Sequence, residues 1–354
     1  MKRVNNLYEK IIDLNNIENA IIYASKRKRK RKNVKDALDN MSTSVFKIYS
    51  LLKNKTYKPN PYIKMTIKDG ASKKEREIFK PCFYPDQCIH WVLMLQLEKI
   101  LFKKMYYWNC ASIKGRGLSH GKKYVEKILR KDKKNTKYCL KLDIKKFYPS
   151  ISKDILKEKF SRIIKDKDTL WLINTIIDSS ESGVPIGNYT SQWFANFYLS
   201  DLDRYIKEKL KVKYYVRYMD DMVLFGNNKK KLHKVKIAID EFLEKEGLVI
   251  KENWQLFRTD SRPIDFLGYR FYRTYTTLRP TNFLRIKRRV KKISKKEELK
   301  YRDAAAVLSY YGWLSHCNSF TYRKKYIYPF ISFKQCKEVV RNETRKRNKT
   351  YKEI

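Results

Sequence analysis

Residues 214–225 read Tyr-Tyr-Val-Arg-Tyr-Met-Asp-Asp-Met-Val-Leu-Phe, and this stretch decides the fold. Two apolar runs meet at Met219, Asp220 and Asp221, a pattern that is typical of a β-hairpin. The acidic pair is therefore predicted to stand at the end of the hairpin. Carboxylates at such a position remain open to solvent and to ligands.

A second acidic position lies upstream on its own predicted strand, residues 138–144. Its apolar residues Leu140, Leu142 and Ile144 fall on one face, as in a half-buried strand. Asp143 falls on the other face, close to the strand end. If this strand and the hairpin are neighbours in one sheet, three carboxylates converge.

Elsewhere the apolar spacing predicts the surrounding elements. Residues 60–85 read as two strands joined by a turn at Asp69 and Gly70. Two helices are predicted between the acidic strands, at 170–177 and after the loop 183–187. Further predictions are helices over 87–103 and 234–246, a strand pair over 264–272, and helices from 285 onward.

The excess of basic residues limits the classes of partner that the chain is expected to bind. The 354 residues contain 82 Lys and Arg against 37 Asp and Glu, a formal net charge of +45. Such an excess indicates a polyanionic partner, most commonly nucleic acid, with an anionic membrane as the weaker alternative. Clustered carboxylates in so basic a chain favour hard divalent cations, Mg²⁺ or Mn²⁺. Together these features indicate metal-dependent nucleotidyl transfer.

The motif Tyr-Met-Asp-Asp at 218–221, with Asp-Ile-Lys-Lys-Phe-Tyr at 143–148, resembles the catalytic signature of reverse transcriptases. The resemblance extends over about residues 60–275. It includes Arg-Glu-Ile-Phe-Lys-Pro at 76–81, Gly-Arg-Gly-Leu-Ser-His at 115–120 and Phe-Leu-Gly-Tyr at 266–269. It implies an α+β, right-hand polymerase with fingers, an antiparallel-sheet palm and a helical thumb.

The implied domains follow the order of these motifs. They are a basic N-terminal helical extension (1–59), fingers with the start of the palm (60–137), the palm with inserted fingers helices at about 150–182 (138–280), and a basic helical thumb with a C-terminal tail (281–354). The extension contains seven consecutive basic residues, 26–32. These predict a phosphate-binding arm, with a solvated helix face or a localisation signal as alternatives.

The resemblance also implies residue roles. Asp143 and Asp220 would be the principal ligands of two Mg²⁺ ions, with Mn²⁺ as an alternative metal. Asp221 and the backbone carbonyl of Ile144 would support them. The residues implied in deoxynucleotide binding are Lys68, Arg76, Phe147, Tyr148, Ile186, Gly187 and Gln192. Those implied in template or primer binding are Arg116, Ser191, Tyr218, Met219, Leu267, Gly268, Arg285 and Arg288.

The segment Ile-Gly-Asn-Tyr-Thr-Ser-Gln at 186–192 resembles reverse transcriptases of diversity-generating retroelements, which copy an RNA template with errors at adenines. Many other reverse transcriptases would have Gln at position 186 and Pro at 192. Ile186 and Gln192 are therefore predicted to lower fidelity, although Ile186 could simply pack. Two alternatives stay open. One is a phage-defence or intron-like enzyme of ordinary fidelity, and the other is a non-catalytic RNA-binding protein on a polymerase fold.

The expected partners are a template RNA, its cDNA product and deoxynucleotides. In the resembled family a small basic accessory protein forms a pentamer that binds the polymerase. The sequence has no apolar run of about 18 residues, the length of a membrane span. We therefore expect an intracellular protein with no membrane partner, and the resemblance implies the prokaryotic cytoplasm.

Overall fold

The computed structural model describes residues 3–68 and 75–349. The chain divides into two compact units. The larger unit comprises Met1–Gly117 and Leu140–Leu256, and the smaller unit comprises Leu118–Cys139 and Phe257–Ile354. The predicted turn at Asp69 and Gly70 lies outside the described residues.

Helices dominate both units. They are, in chain order, α1 (Tyr8–Ile11), α2 (Leu14–Ser25), α3 (Lys32–Asp39), α4 (Met41–Lys53), α5 (Cys88–Lys104), α6 (Leu118–Lys131), α7 (Phe147–Ser150), α8 (Lys153–Ile163), α9 (Lys167–Asp178), α10 (Tyr189–Tyr198), α11 (Ser200–Arg204), α12 (Lys229–Lys245), α13 (Pro280–Ile293), α14 (Tyr301–Ser315), α15 (Phe320–Tyr326) and α16 (Phe333–Lys349). Within the described ranges, no helix is both long enough and apolar enough to cross a membrane.

Nine strands form three sheets in the described part of the chain. They are β1 (Ile63–Lys68), β2 (Glu75–Lys80), β3 (Tyr138–Asp143), β4 (Tyr214–Tyr218), β5 (Asp221–Gly226), β6 (Gln255–Arg258), β7 (Ile264–Phe266), β8 (Tyr269–Phe271) and β9 (Thr276–Leu278). β1 and β2 form an antiparallel hairpin. The central sheet has the order β4-β5-β3-β6, and β7-β8-β9 is the third sheet.

The central sheet confirms that the two acidic strands are neighbours. β4 and β5 are antiparallel, with Tyr218 opposite Asp221, so the predicted hairpin turns at Met219 and Asp220. β3 lies beside β5. Leu140 and Leu142 are fully buried, whereas Asp143 on the other face is half-buried. The period-two pattern therefore predicted the burial of β3 correctly.

Helix α5 lies in the core of the larger unit. Its residues Val92, Leu93, Leu97 and Leu101 are all fully buried, and the helix packs against α2 and α10. A helix that is apolar on most sides is expected in an interior. The prediction over 87–103 is confirmed almost to the residue.

The smaller unit has its own core. Ile293, Ala304, Val307 and Cys336, from α13, α14 and α16, are buried together. The strand pair predicted around Gly268 is β7 with β8, and the sequence did not predict β9, which extends it.

Two further predictions need correction. Of the helices expected at about 150–182, the apolar pattern gave bounds only for 170–177, because the Lys-rich composition of α8 hides the buried pair Leu156 and Phe160. Helix α12 begins at Lys229 rather than 234, because the Asn228 side chain accepts a hydrogen bond from the Lys231 amide and caps it.

Candidate active site

The acidic hairpin turn is narrow and constrained. Met219 has φ 53°, a left-handed conformation that side chains rarely adopt. Asp220 follows directly, and Asp221 begins β5 rather than lying in the turn. The two carboxylates therefore leave the backbone from different elements.

The end of β3 is anchored by the segment that follows α12. The Lys251 amide donates to the Asp143 carbonyl, and the Lys145 amide donates to the Val249 carbonyl, both at 2.8 Å. These bonds flank the antiparallel pair of Ile144 with Ile250. In such a pair the N–H and C=O of the central residue point to the opposite side. The Ile144 carbonyl thus points away from this segment, as a ligand would require.

Asp143 and Asp220 lie close enough for their charges to interact. Burial and the negative charge of the neighbouring Asp143 raise the pKa of Asp220 above its ordinary range. Lys251 Nζ lies 2.5 Å from Asp143 Oδ1 and offsets part of the negative charge. Two carboxylates forced together in this way are hard oxygen donors whose repulsion a divalent cation would relieve. The pair fits a Mg²⁺ or Mn²⁺ site.

The Asp221 side chain lies next to a lysine. Its Oδ2 lies 3.8 Å from Lys141 Nζ, on the same face of the sheet as Asp143. Within residues 3–68 and 75–349, no group of three or more His, Cys, Asp or Glu side chains is arranged to hold a metal ion. The structure thus brings two of the three predicted carboxylates within electrostatic reach of each other and places Asp221 beside a lysine.

Tyr148 borders this pair. Its hydroxyl lies 3.6 Å from the Met219 sulfur. Burial, together with the Asp220 carboxylate, raises the pKa of Tyr148 well above its usual value, and the positive charge of Arg76 opposes that shift. The charges of Asp220 and Arg76 therefore both act on Tyr148. Phe147 is only 3% exposed, so its side chain belongs to the core.

The loop 183–187 connects this tyrosine to the hairpin β1–β2. The Val184 amide donates to the Tyr148 carbonyl at 3.0 Å, and the Phe79 amide donates to the Ile186 carbonyl at 2.8 Å. Gly187 has φ +137°, and a Cβ there would lie 2.3 Å from the Phe79 carbonyl oxygen. Only glycine permits this close approach. Ile186 is half-buried beside it.

A cavity of 690 Å³ opens next to this loop. Gly187 and Gln192 line it, and so do five cations, none of the described lining residues being acidic. The cations are Lys26, Arg27, Lys28, Arg31 and Lys80. Four of them belong to the basic run that the sequence singled out, which forms a turn before α3.

One wall of the cavity is an aromatic stack that sequence reasoning missed. Trp91 stacks on Tyr189, with 4.0 Å between ring centroids and 11° between planes, and on Tyr23 at 5.4 Å and 18°. The three rings come from α2, α5 and α10, so no local pattern signals them. Asn188 Oδ1 and His90 Nδ1, which are buried atoms without a hydrogen-bond partner, belong to residues that line the same cavity.

The remaining predicted residues have varied surroundings. The Arg116 guanidinium stacks on the rings of Phe102 and Tyr107, at 4.2 and 4.7 Å from their centroids. Ser191 is buried and Tyr218 is half-buried. Lys68 ends β1, and its side chain lies outside the described part.

The smaller unit carries the other predicted contacts. Leu267 and Gly268, with φ 55° and 81°, form the turn between β7 and β8. Arg285 and Arg288 are exposed on α13, whose opposite face buries Ile286. α13 is therefore an amphipathic helix with a basic outer side.

Comparison with known proteins agrees with this geometry. A family model described as reverse transcriptase (RNA-dependent DNA polymerase) matches residues 67–271, more than half of the chain. The matched range contains Asp143, Asp220, Asp221 and the loop 183–187.

Two bacterial proteins are similar in sequence. The retron Ec73 reverse transcriptase of Escherichia coli is 28% identical over 204 residues, which cover 52% of this chain and 62% of the relative. The retron Se72 reverse transcriptase of Salmonella heidelberg is 28% identical over 165 residues, which cover 46% of this chain and 41% of the relative. The chain thus spans less than two thirds of either relative.

Among solved structures, apo telomerase from Candida tropicalis is similar with a TM-score of 0.50 and 14% identity, covering 70% of this chain and 50% of that chain. At this identity the likeness concerns the fold alone. It agrees with a polymerase fold of the reverse-transcriptase type, built from helices and antiparallel strands. On the evidence of its matched residues and its central sheet, the chain belongs to the reverse transcriptase (RNA-dependent DNA polymerase) family.

Proposed function

We propose that this chain is an RNA-directed DNA polymerase that copies a template RNA into cDNA. The observation that carries the proposal is the proximity of Asp143 and Asp220, whose charges interact at the ends of adjacent strands inside the range matched by the family model. Pure RNA binding would not need this pair, because uncompensated carboxylates repel phosphate.

In the proposed reaction Asp143 and Asp220 hold the divalent metal, with Asp221 and the Ile144 carbonyl in support. The bound ions, two Mg²⁺ or Mn²⁺, would activate the primer 3′-hydroxyl and neutralise the triphosphate. Arg76 and Lys68 would bind the triphosphate oxygens, for which a planar guanidinium is well suited. Tyr148 would pack against the sugar and exclude a 2′-hydroxyl.

The basic cavity supports a path for the template RNA. Cations bind phosphates, and aromatic planes stack on unpaired bases by about 1–3 kcal/mol per base. The cavity combines five cations with the stack of Tyr23, Trp91 and Tyr189. We propose that residues 60–137 act as fingers, 138–280 as palm and 281–354 as thumb, with Arg116, Ser191, Tyr218, Met219, Leu267, Gly268, Arg285 and Arg288 along the template and primer.

The test is primer extension on an RNA template with Mg²⁺ and deoxynucleotides. Asp220→Ala should abolish synthesis, whereas Asp240→Ala, which removes a half-buried carboxylate paired with Lys236 on α12, should retain it. Equal activity of the two variants would exclude the proposed role of Asp220. Wild-type protein that binds the template but extends no primer would favour the non-catalytic alternative.

We further propose that synthesis is error-prone at template adenines, as in diversity-generating retroelements. Supporting this, Ile186 is aliphatic at a position where the family resemblance implies a polar contact to the nascent base pair, and Gln192 lines the neighbouring cavity. Ile186→Gln should reduce adenine-directed errors, and Ile237→Gln, an exposed change on α12, should not. Unchanged errors in Ile186→Gln would contradict the role of this residue.

A second candidate is a retron-type reverse transcriptase of ordinary fidelity. It is favoured by the similarity to two retron enzymes. Sequencing the cDNA separates the candidates, because accurate copying supports the second and errors at adenine support the first. For the retroelement, we propose a small basic accessory protein as a partner. Either enzyme would act in the prokaryotic cytoplasm.

A further inference from the structure

Arg217 on β4 is a fully buried arginine directly behind the acidic turn, and none of its surface is exposed. Its Nε and Nη2 donate to the two carboxylate oxygens of Asp203, at 2.8 and 2.5 Å. Nη1 donates to Asn196 Oδ1 at 3.2 Å and Nη2 to the Asn196 carbonyl at 3.4 Å. The remaining Nη1 bond, 3.0 Å, goes to the Met219 carbonyl. All five N–H donors of the guanidinium are therefore used.

Stability alone does not explain this arrangement. Burying an ion pair costs desolvation of both charges, and well-packed apolar residues often stabilise a core at least as well. Asp203 is 1% exposed and also accepts a hydrogen bond from the Tyr215 hydroxyl at 2.7 Å. The ion pair fixes the orientation of the Arg217 guanidinium, because a bidentate arginine can adopt only one orientation.

In this orientation the guanidinium donates a hydrogen bond to the peptide group that precedes Asp220. The Met219 carbonyl belongs to the peptide bond between Met219 and Asp220, so the Arg217 bond defines how this peptide is turned. Met219 adopts φ 53°, a conformation that persists only when the surrounding contacts impose it. Without Arg217 this turn is expected to relax and to move Asp220 away from Asp143.

The anchor of Arg217 lies outside the hairpin. Asp203 comes from α11 and Asn196 from α10, and the Asn196 side chain is bonded to Asn109 at 3.0 Å and to the Ala111 carbonyl at 2.9 Å. The Arg217 backbone is paired with the same loop, through Trp108 and Cys110. Two helices and a loop therefore hold the guanidinium in place.

We propose that Arg217 is a positioning residue that keeps Asp220 against Asp143 through the Met219 carbonyl, with Asp203 as its anchor. The inference rests on the proposed polymerase function, since it gives Asp220 a role in nucleotidyl transfer. The geometric part can be measured independently of that function.

The experiment compares Arg217→Lys and the double variant Arg217→Met with Asp203→Leu. The control is Lys159→Met with Asp201→Leu, which removes a 2.7 Å ion pair between a buried lysine and a half-buried aspartate on other elements. The measurements are amide hydrogen exchange over residues 218–222 in the metal-free protein, affinity for a template–primer, and kcat in primer extension.

Both Arg217 variants should accelerate exchange over 218–222 by about tenfold or more, because the turn opens locally. They should lower kcat by about a hundredfold, the loss expected for a misplacement of about 1 Å, with template–primer affinity within about threefold of wild type. The control should leave exchange at the turn and kcat unchanged.

Wild-type exchange over 218–222 in both variants would overturn the proposal, whatever their activity. Equal changes of exchange and kcat in the variants and in the control would mean that Arg217 has only a structural role. The same conclusion would follow if both Arg217 variants failed to fold while the control folded. If the wild-type protein extends no primer, the polymerase proposal fails, and the exchange comparison still decides the positioning proposal.

Discussion

At the scale of single residues, one lysine offsets part of the negative charge of Asp143 and Asp220. Lys251 lies 2.5 Å from Asp143, and its positive charge acts against the raised pKa of Asp220. The ammonium thus occupies an oxygen that a metal ion would use. Lys251 and the divalent cation are expected to compete for Asp143.

Lys251→Gln should therefore increase the stabilisation of the protein by Mg²⁺. The variant loses the counter-charge of the acidic pair, so a cation that binds the folded state raises Tm more than in wild type. We expect an additional rise of about 2–4 °C at saturating Mg²⁺, which thermal denaturation with and without the metal would measure. Lys236→Gln, which breaks a half-buried pair with Asp240 on α12, is the control and should respond to Mg²⁺ as wild type does. An identical response of Lys251→Gln would contradict the competition.

At the scale of elements, the loop 183–187 depends on a backbone contact rather than on side chains. Gly187→Ala should destabilise the protein by about 1–3 kcal/mol, because its φ of +137° is unfavourable for alanine and the new Cβ would meet the Phe79 carbonyl. Urea denaturation measures the change, and primer extension should weaken in parallel.

Gly312→Ala is the matched control for this loop. Gly312 lies within α14, where an added Cβ meets no atom within 4 Å. Alanine should therefore stabilise the helix by about 0.5–1 kcal/mol. Equal effects of the two substitutions would show that the loop geometry does not need glycine.

Helix α9 is joined to the N-terminal segment by one carboxylate. Asp166 accepts hydrogen bonds from the amides of Leu7 and Tyr8 and from the amides of Asp168 and Thr169 at the start of α9. Burial alone would raise the pKa of Asp166, but these N–H donors overcome that effect and lower it. Asp166 is thus the N-cap of α9 and also accepts hydrogen bonds from two amides at the start of α1.

Its contribution to stability should depend on pH. A carboxylate with a lowered pKa in the folded state stabilises the fold above its unfolded pKa of about 3.9, and this stabilisation disappears as the pH falls through the folded value. Asp166→Asn should therefore lower the free energy of unfolding at pH 7, with a difference from wild type that shrinks towards pH 3. Urea denaturation over this range tests it, and a pH-independent difference would contradict the assignment.

At the scale of the whole molecule, the net charge of +45 should dominate RNA binding. Each phosphate contact contributes about 0.7 to the slope of log affinity against log salt for a single strand. Replacing Arg27 and Arg31, which line the basic cavity, with Gln should lower the slope by about 1.4 if both contact phosphate. Lys229→Gln with Lys230→Gln, exposed at the start of α12, is the control with equal charge loss. Equal slopes for both double variants would mean that the cavity has no special part in binding.

Much of the central sheet could be predicted from local patterns. Residues 214–225 form the hairpin and 138–143 the neighbouring strand, because apolar alternation reports which face of a strand is buried. Strand β9 was missed and helix α8 was given no bounds of its own, since their sequences carry weak apolar signals. The family resemblance drawn from Asp143, Asp220 and Asp221 agrees with the matched family model.

The sequence by itself determined the chemistry available to this protein: three carboxylates at strand ends, an excess of basic residues, and glycines where the chain must approach itself closely. Only the tertiary structure decided which groups meet. Lys251 reaches Asp143, Arg217 reaches the Met219 carbonyl, and three helices bring Tyr23, Trp91 and Tyr189 into one stack. Local patterns report burial and periodicity, whereas contacts between residues distant in the sequence depend on how the elements pack, which no local pattern contains.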